Sequence, residues 1–501
     1  MKRYSAYMDE ITPDELYEGL LAYGMFSEKI PPIFTSEAFY RYCLTLSKPF
    51  QGDRHDYITF DSIRNINIPR QISIPNPMAY HRLCVGLRDN WEHIKQHFHT
   101  YTDPDTHLIS RIRIRKKKES KALFKMNYSN WRIDGSPEDD LVLGNRYVVH
   151  ADISTCFPSI YTHSLCWAFD GKKQAKQNKS INGIWYNDID DLCQRLRCGE
   201  THGLMIGPHA SNLLAECILI VVDRHLFDEG WRYIRNIDDY TCYVKSEEDA
   251  KKFIIHLKNE LKAFDLFINS KKTFIEPLPI TSEKSWKRKL TTFQLVASHE
   301  EVNYIAIRNY FDLAIELMRL NDNDAAILNY AIKVLSGKKL TYGAKQYFIK
   351  HCIHLAVIYP YLLSLLDTYV FVPCKASRKQ IESFSNIIYD ESNRIYNYEG
   401  MCYAIYFSLK YNFPLKSISA SGILDMDSCL VRLFGMLYYK KTHDTKAWKL
   451  FRDDAKQLQK MDMDRYWIYI YETLTYGNLK GEWEALKKAK ISFLKQEVIV
   501  H

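Results

Sequence analysis

Two short strings 86 positions apart, HADISTCFPSIY around Asp152 and YIRNIDDYTCYV around Asp238 and Asp239, restrict this chain more than any other feature. Each sets carboxylates where a strand gives out. The apolar residues 147–151 predict a strand that delivers Asp152, and two β-favouring runs, 233–237 and 240–244, predict a hairpin with Asp238 and Asp239 at its turn. Three acids brought to adjacent strand ends make an oxygen-rich site for a hard cation such as magnesium. Two such ions roughly 3.5–4 Å apart can activate an attacking hydroxyl and stabilise a leaving pyrophosphate, which is the chemistry of nucleotidyl transfer.

An Asp-Asp pair alone says little, because the chain has three others. Asp139 and Asp140 follow GSPE in a polar loop, Asp190 and Asp191 form a second pair, and Asp453 and Asp454 sit among charged residues of apparent helices, where solvation explains them. Only the pair at 238 is bracketed by β-branched and aromatic residues on both sides, although Asp also favours hairpin turns for local backbone reasons. Between the two strings lies GLMIGPHASNLLAECILIVVDRHL, a Gly-rich turn over 203–207 and then a helix from about Ser211. Its apolar residues Leu213, Leu214, Cys217, Ile218, Val221 and Val222 fall at helical spacing, with Asn212, Glu216 and Asp223 elsewhere. Gly207 lacks a side chain, so it either lets the backbone approach a base or sugar or simply turns the chain into a core helix. After the hairpin, LFINSKKTFI reads as an extended segment with Lys272 at its end, placed either to meet a triphosphate or in solvent.

Taken in order, these strings resemble the palm of reverse transcriptases: ADISTCF the first catalytic motif, GLMIGPHAS the second, NIDDY the third and INSKKT the fourth. The likeness spans residues 74–273. IPNPMAY, DISTCFPSIYTHSLCWAFDGK and ETHGLMIGPHAS narrow it to the abortive-infection polymerases of the AbiK type, and among these to the smaller, enterobacterial prophage-borne kind. That resemblance implies an α+β reverse-transcriptase-like fingers and palm domain followed by an all-α domain with HEAT-like repeats. It also implies synthesis of single-stranded DNA from deoxynucleotides without a template, started on a protein hydroxyl, by a homo-oligomer that stops phage growth at the cost of the infected bacterial cell. Two magnesium ions, with manganese able to substitute, would be held by Asp152, Asp238, Asp239 and the backbone of Ile153.

Two positions depart from the general reverse-transcriptase pattern. The aromatic usually found two residues before the hairpin acids is Asn236, and the usual Gln before Gly207 is Ile206. Those side chains normally help to hold a primer-template duplex or an incoming nucleotide, so their absence weakens templated copying and leaves the metal chemistry intact. Phe157, five residues after Asp152, agrees with the pattern: it occupies the place of the aromatic that lies against the sugar, where a ring leaves no room for a 2′-hydroxyl.

A net charge of +8, from 68 basic and 60 acidic residues, is too mild to mark a nucleic-acid binder by composition. Distribution is more telling. RIRIRKKK predicts a strand with Arg111, Arg113 and Arg115 on one face and Ile112 and Ile114 on the other, suited to neutralising phosphate or, alternatively, to protecting a sheet edge. Arg111, Arg113 and Lys121 join Lys272, Phe157 and Gly207 as candidate nucleotide-binding residues. The twelve cysteines contain no C-x-x-C pair, which argues against a zinc site or a disulfide framework. The longest obviously apolar run, 217–222, is too short to span a bilayer, so no membrane role and a cytoplasmic location are expected.

Near residue 300 the chain changes character. The expected division is a fingers and palm domain over 1–295 and an α-helical domain over 296–501. In the second, Ile327, Leu328, Ala331, Ile332 and Leu335 mark one helical face that Gly337 stops, and further helices are expected over 347–358, 361–369, 401–409 and 485–496. Among 36 tyrosines, Tyr4, Tyr7 and Tyr23, near an N-terminus expected to be mobile, are the candidate priming hydroxyls. Two other readings stay open: a template-directed reverse transcriptase of the retron or intron type, and a polymerase-like scaffold that binds nucleic acid without catalysis.

Overall fold

The computed structural model describes residues 2–103, 105, 107–124, 135–179, 181, 183–295 and 301–496. Among the described residues six strands, all before residue 278, form two sheets. Strands β1 (Ile58–Ile63) and β2 (Pro69–Ile74) make an antiparallel hairpin. Strands β3 (Tyr147–Asp152), β4 (Tyr233–Asn236), β5 (Asp239–Val244) and β6 (Phe274–Pro277) make a second sheet in the order β4-β5-β3-β6, antiparallel throughout. Valines 148 and 149 are fully buried in β3, as a strand paired on both sides requires.

Helix His209–Asp228 runs through the core; it begins two residues earlier than the expected start. Helix Glu247–Ala263 is opened by Ser246, whose hydroxyl accepts from the Asp249 N–H, and lays Ala250, Phe253, Leu257 and Leu261 against β3 and β5. Asn76 caps helix Pro77–Asp89, with proline in its first turn.

Beyond residue 301 the described residues contain helices and no named strand. Helix Ala326–Ser336 carries the expected buried face, and Tyr342–Ile358 and Tyr398–Tyr411 contain two more of the expected helices. The stretch 361–369 is helical but broken: a 3-10 turn, one α turn and a π segment, Leu366–Phe371, follow one another. The expected helix over 485–496 is a correction. Helix Gly481–Lys488 stops, Lys490 takes a positive φ of 57°, and the chain extends so that Phe493 and Leu494 are buried. There the Thr35 N–H donates to the Phe493 carbonyl at 2.9 Å and the Lys495 N–H to Ile33 at 2.8 Å, so the C-terminal segment pairs with residues 33–35. The expected division at 295/296 borders residues 296–300, which lie outside the described residues. No described helix is long and apolar enough to cross a membrane. Eleven of the twelve cysteines are buried free thiols and Cys198 is exposed.

The helical part grips the β1–β2 hairpin. Glu399, 4% exposed, accepts from the Ser62 hydroxyl at 3.0 Å and from the Ile63 N–H at 2.7 Å. Asn65 donates to Asp324 at 2.6 Å, and its carbonyl accepts from the Ala325 N–H. Burial pushes the Glu399 carboxyl up to about 7, against the two donors that favour its charge. A folded pKa above the unfolded one means that this group's contribution is complete below the ordinary glutamate range and is lost as pH rises through 7. Going from pH 5.5 to 8 therefore costs about 2 kcal/mol at this one site, at 1.36 kcal/mol per pKa unit. In Glu399→Gln the amide oxygen can take the Ile63 N–H while its NH2 donates to Ser62, so the variant is expected to lose that part of the pH slope. Unfolding midpoints of both proteins over this range check it.

Candidate metal and nucleotide site

The register of β3 against β5 places Asp152 directly opposite Asp239, and β4 against β5 places Asn236 opposite Asp239. The hairpin turn is thus the two residues Ile237 and Asp238, and Asp239 is the first residue of β5 rather than part of the turn. Ile237 has a φ of 60°. A β-branched residue in the left-handed region carries strain of roughly 1–3 kcal/mol, which persists only where surrounding contacts impose it. The Asp238 carbonyl accepts from the Ile153 N–H at 3.0 Å, tying the turn to the residue after Asp152. On the other side, the Asp152 carbonyl accepts from the Asn269 N–H at 2.7 Å, which brings the segment carrying Lys272 alongside. Lys272 Nζ donates to Asp152 Oδ2 at 2.7 Å.

The structure therefore brings Asp152, Asp238, Asp239 and Lys272 together. Burial raises the pKa of Asp238, and the Asp152 charge adds to it against Lys272 and Arg70. Desolvation, a hydrogen bond shared with Asp152 and the charge of Asp238 raise that of Asp239. Crowded carboxylates that hold protons against their nature are a site short of positive charge. Among the described residues, no three His, Cys, Asp or Glu side chains stand ready-made around one metal position. The donor set nevertheless fits magnesium: hard oxygens, too many negative charges, and an exposed ammonium on Asp152 that a cation can replace.

The hairpin β1–β2 supplies a feature that sequence reasoning missed. Arg70 lies within electrostatic reach of Asp238, with Arg64 nearby, so the hairpin presents the Arg70 guanidinium toward the acids. Both residues sit in IRNINIPRQ, where nothing in the local pattern separates them from ordinary surface charge.

Gly207 has a φ of 136°, and a Cβ there would meet the Ser73 carbonyl oxygen at 2.9 Å. Its need for glycine comes from this approach to β2, where the Ser73 N–H donates to the Ile206 carbonyl at 2.8 Å. Phe157 is half-buried against the core, and its carbonyl accepts from the Leu204 N–H at 2.8 Å, so it belongs to the same loop cluster.

The basic strand does not form. Residues 111–115 carry no strand; Arg111 and Arg113 are each 3% exposed, while Ile112 is half-buried and Ile114 buried. One Arg111 guanidinium nitrogen donates to the Gly135 carbonyl at 2.8 Å, and the Arg113 guanidinium stacks on the Tyr7 ring at 4.5 Å. Backbone groups of residues 109 and 111 bond to Arg235 and so cover the outer edge of β4. Alternation failed here because the fold closes over both faces. Lys121 is exposed and paired with Glu18 at 2.6 Å.

The mobile N-terminus is also corrected. Residues Tyr4–Met8 are a short helix packed on helix Trp91–Thr102; Tyr4 is 2% exposed, its ring edge-on to Phe98 at 5.0 Å, and Tyr7 is buried. Tyr23 is half-buried beside Gly24, whose carbonyl accepts from Tyr80 and from the His209 N–H. The other Asp-Asp pairs go elsewhere: Asp454 to Arg432 at 2.6 Å, Asp190 to His163, and Asp139 and Asp140 into the short helix Glu138–Val142.

No family model matches the chain, and no curated protein matches it. Among solved structures it is similar to telomerase from Candida albicans with a TWJ fragment of telomeric RNA, at TM-score 0.29 and 12% identity over 71% of this chain and 65% of that one. It is also similar to apo telomerase from Candida tropicalis, at TM-score 0.31 and 10% identity over 75% of this chain and 69% of that one. The chain thus spans about two thirds of each telomerase, and at such scores the site rests on its own geometry.

Proposed function

We propose that the chain is a DNA polymerase of reverse-transcriptase type, a nucleotidyltransferase that joins deoxynucleotides to a growing 3′-hydroxyl. The observation that carries the reading is the pairing of Asp152 with Asp239 across β3 and β5, with Asp238 in the adjoining two-residue turn and Lys272 on Asp152. Magnesium bound there would supply Lewis-acid stabilisation of the reacting phosphate and of the attacking oxygen. Asp152 and Asp238 would hold the magnesium, with Asp239 assisting. Lys272, with Arg70, would neutralise the triphosphate, because phosphoryl transfer needs positioning and charge stabilisation more than covalent help. The resemblance of these motifs to the abortive-infection polymerases is what supports the finer reading: template-independent, protein-primed synthesis of single-stranded DNA by a homo-oligomer in abortive-infection defence, in the bacterial cytoplasm, with a HEAT-like helical domain. Asn236 and Ile206 favour it over templated copying, since neither offers the usual contact to a duplex.

Purified protein with magnesium and deoxynucleotides, with and without a primed template, tests the reading. Product without template supports it, product only with template favours a retron-like enzyme, and no product leaves a binding scaffold. Sugar choice is a second readout. Phe157→Ala is expected to raise ribonucleotide incorporation relative to deoxynucleotide by about 10- to 100-fold, the range a few kcal/mol of steric discrimination spans. Unchanged discrimination in a competition assay would place the gate elsewhere.

A further inference from the structure

We propose that Arg235 is the positioning residue of the acid-bearing hairpin, holding the Ile237-Asp238 turn in metal-binding shape through a buried bridge from Glu216 and Asp223. This rests on the reading of Asp152, Asp238 and Asp239 as a metal site. Arg235 is fully buried in β4, three residues before Asp238. Its Nε donates to both Asp223 oxygens at 3.1 and 3.0 Å, and one terminal nitrogen donates to Glu216 Oε1 at 2.9 Å and to the Ile237 carbonyl at 2.8 Å. The other donates to Glu216 Oε2 at 3.0 Å and to Asp223 Oδ2 at 2.6 Å. A guanidinium has five N–H donors, and every one of them is directed at a partner here.

Two features make this more than a core ion pair. Glu216 and Asp223 stand seven residues apart on helix His209–Asp228, which places them on one face two turns from each other. The helix thereby offers two fixed anchors, and the fork that bridges them has one donor left, which goes to the carbonyl of the strained residue. That carbonyl belongs to the peptide linking Ile237 to Asp238, so its direction sets where the Asp238 backbone and side chain leave the turn. The anchors are themselves held: Ser110 Oγ donates to Glu216 at 3.1 Å, and the Tyr233 hydroxyl donates to Asp223 at 2.8 Å. Burial alone would depress the Arg235 pKa, but Asp223 and Glu216 hold it well above its usual value, so the bridge stays charged. Removing partners that orient first ligands commonly costs about 10- to 100-fold in metal affinity.

Arg235→Lys keeps the charge but cannot span two carboxylates and a carbonyl together. The triple variant E216Q/D223N/R235M leaves no buried charge alone, so it keeps the fold if the lysine variant does not. Manganese binding to metal-free protein is measured by electron paramagnetic resonance, and hydrogen exchange of residues 148–156 by mass spectrometry, since the Ile153 N–H reports on the Asp238 carbonyl. The expected result is manganese affinity lower by about 10- to 100-fold and faster exchange in whichever variants melt as the parent does. Parent-like affinity and exchange in either folded variant overturns the positioning role and leaves the metal site standing. A parent that binds no manganese, or binds it equally in Asp238→Asn, overturns both.

Discussion

In Asp152→Asn and Asp238→Asn, nucleotide incorporation is expected to fall by on the order of 10³-fold or more, since several kcal/mol of charge stabilisation are lost at 1.36 kcal/mol per tenfold. Stability should not follow activity. Burial and the Asp152 charge hold the Asp238 pKa above its ordinary value, so its ionised form works against the folded state at neutral pH. A neutral isostere relieves that repulsion, and metal-free Asp238→Asn is expected to melt no lower than the parent. Asp152→Asn removes the partner of Lys272, a half-exposed ion pair worth little by itself. Incorporation of labelled deoxynucleotide beside a thermal scan checks both halves. Near-parent synthesis in either pure, metal-supplied variant would move the chemistry to other residues.

The acids were legible because their signals are local. A strand ending in Asp152, and two β-favouring runs meeting at an acidic turn, need only short-range pattern, and the sheet pairs them as that pattern requires. Arg235 was not legible, since its meaning depends on Glu216 and Asp223, which join it from another element. A lone arginine in a strand of Tyr and Ile, beside two acids seven apart on an apolar helix, is the signal that was present. Residues 111–115 misled for the converse reason. Arg–Ile alternation looks like an amphipathic strand, yet the Arg111 and Arg113 side chains go to Gly135 and Tyr7 while the backbone pairs with the edge of β4. In the helical part, faces such as that of Ala326–Ser336 follow from period alone, whereas the end of helix Gly481–Lys488 is set by docking of Phe493 and Leu494 onto distant residues.

DNA made by this protein is expected to stay attached to it after denaturation and to be freed only by proteolysis. Protein priming of this kind requires a hydroxyl that can approach the acids, lose its proton there and leave as the strand grows. A phenol beside a bound divalent ion can ionise near neutrality, but a phenol sealed in the core is held in its protonated form. Tyr4, Tyr233 and Tyr240 are of the second sort: burial raises the pKa of each well above the ordinary tyrosine value. Tyr7 is buried against Arg113, and Tyr23 is half-buried, so an adduct on Tyr4 or Tyr7 would require helix Tyr4–Met8 to leave its seat on Trp91–Thr102. Tyr304, Tyr342, Tyr396 and Tyr476 are between 46% and 80% exposed and carry no such cost. After reaction without template, nuclease trimming and peptide mass spectrometry should find one nucleotide-bearing tyrosine. Its replacement by Phe should abolish de novo product while leaving extension of an added DNA 3′-end intact, because the acids and Lys272 are untouched. Product that separates from the protein in denaturant without proteolysis excludes covalent priming, and product that appears only with a primed template restores the templated reading.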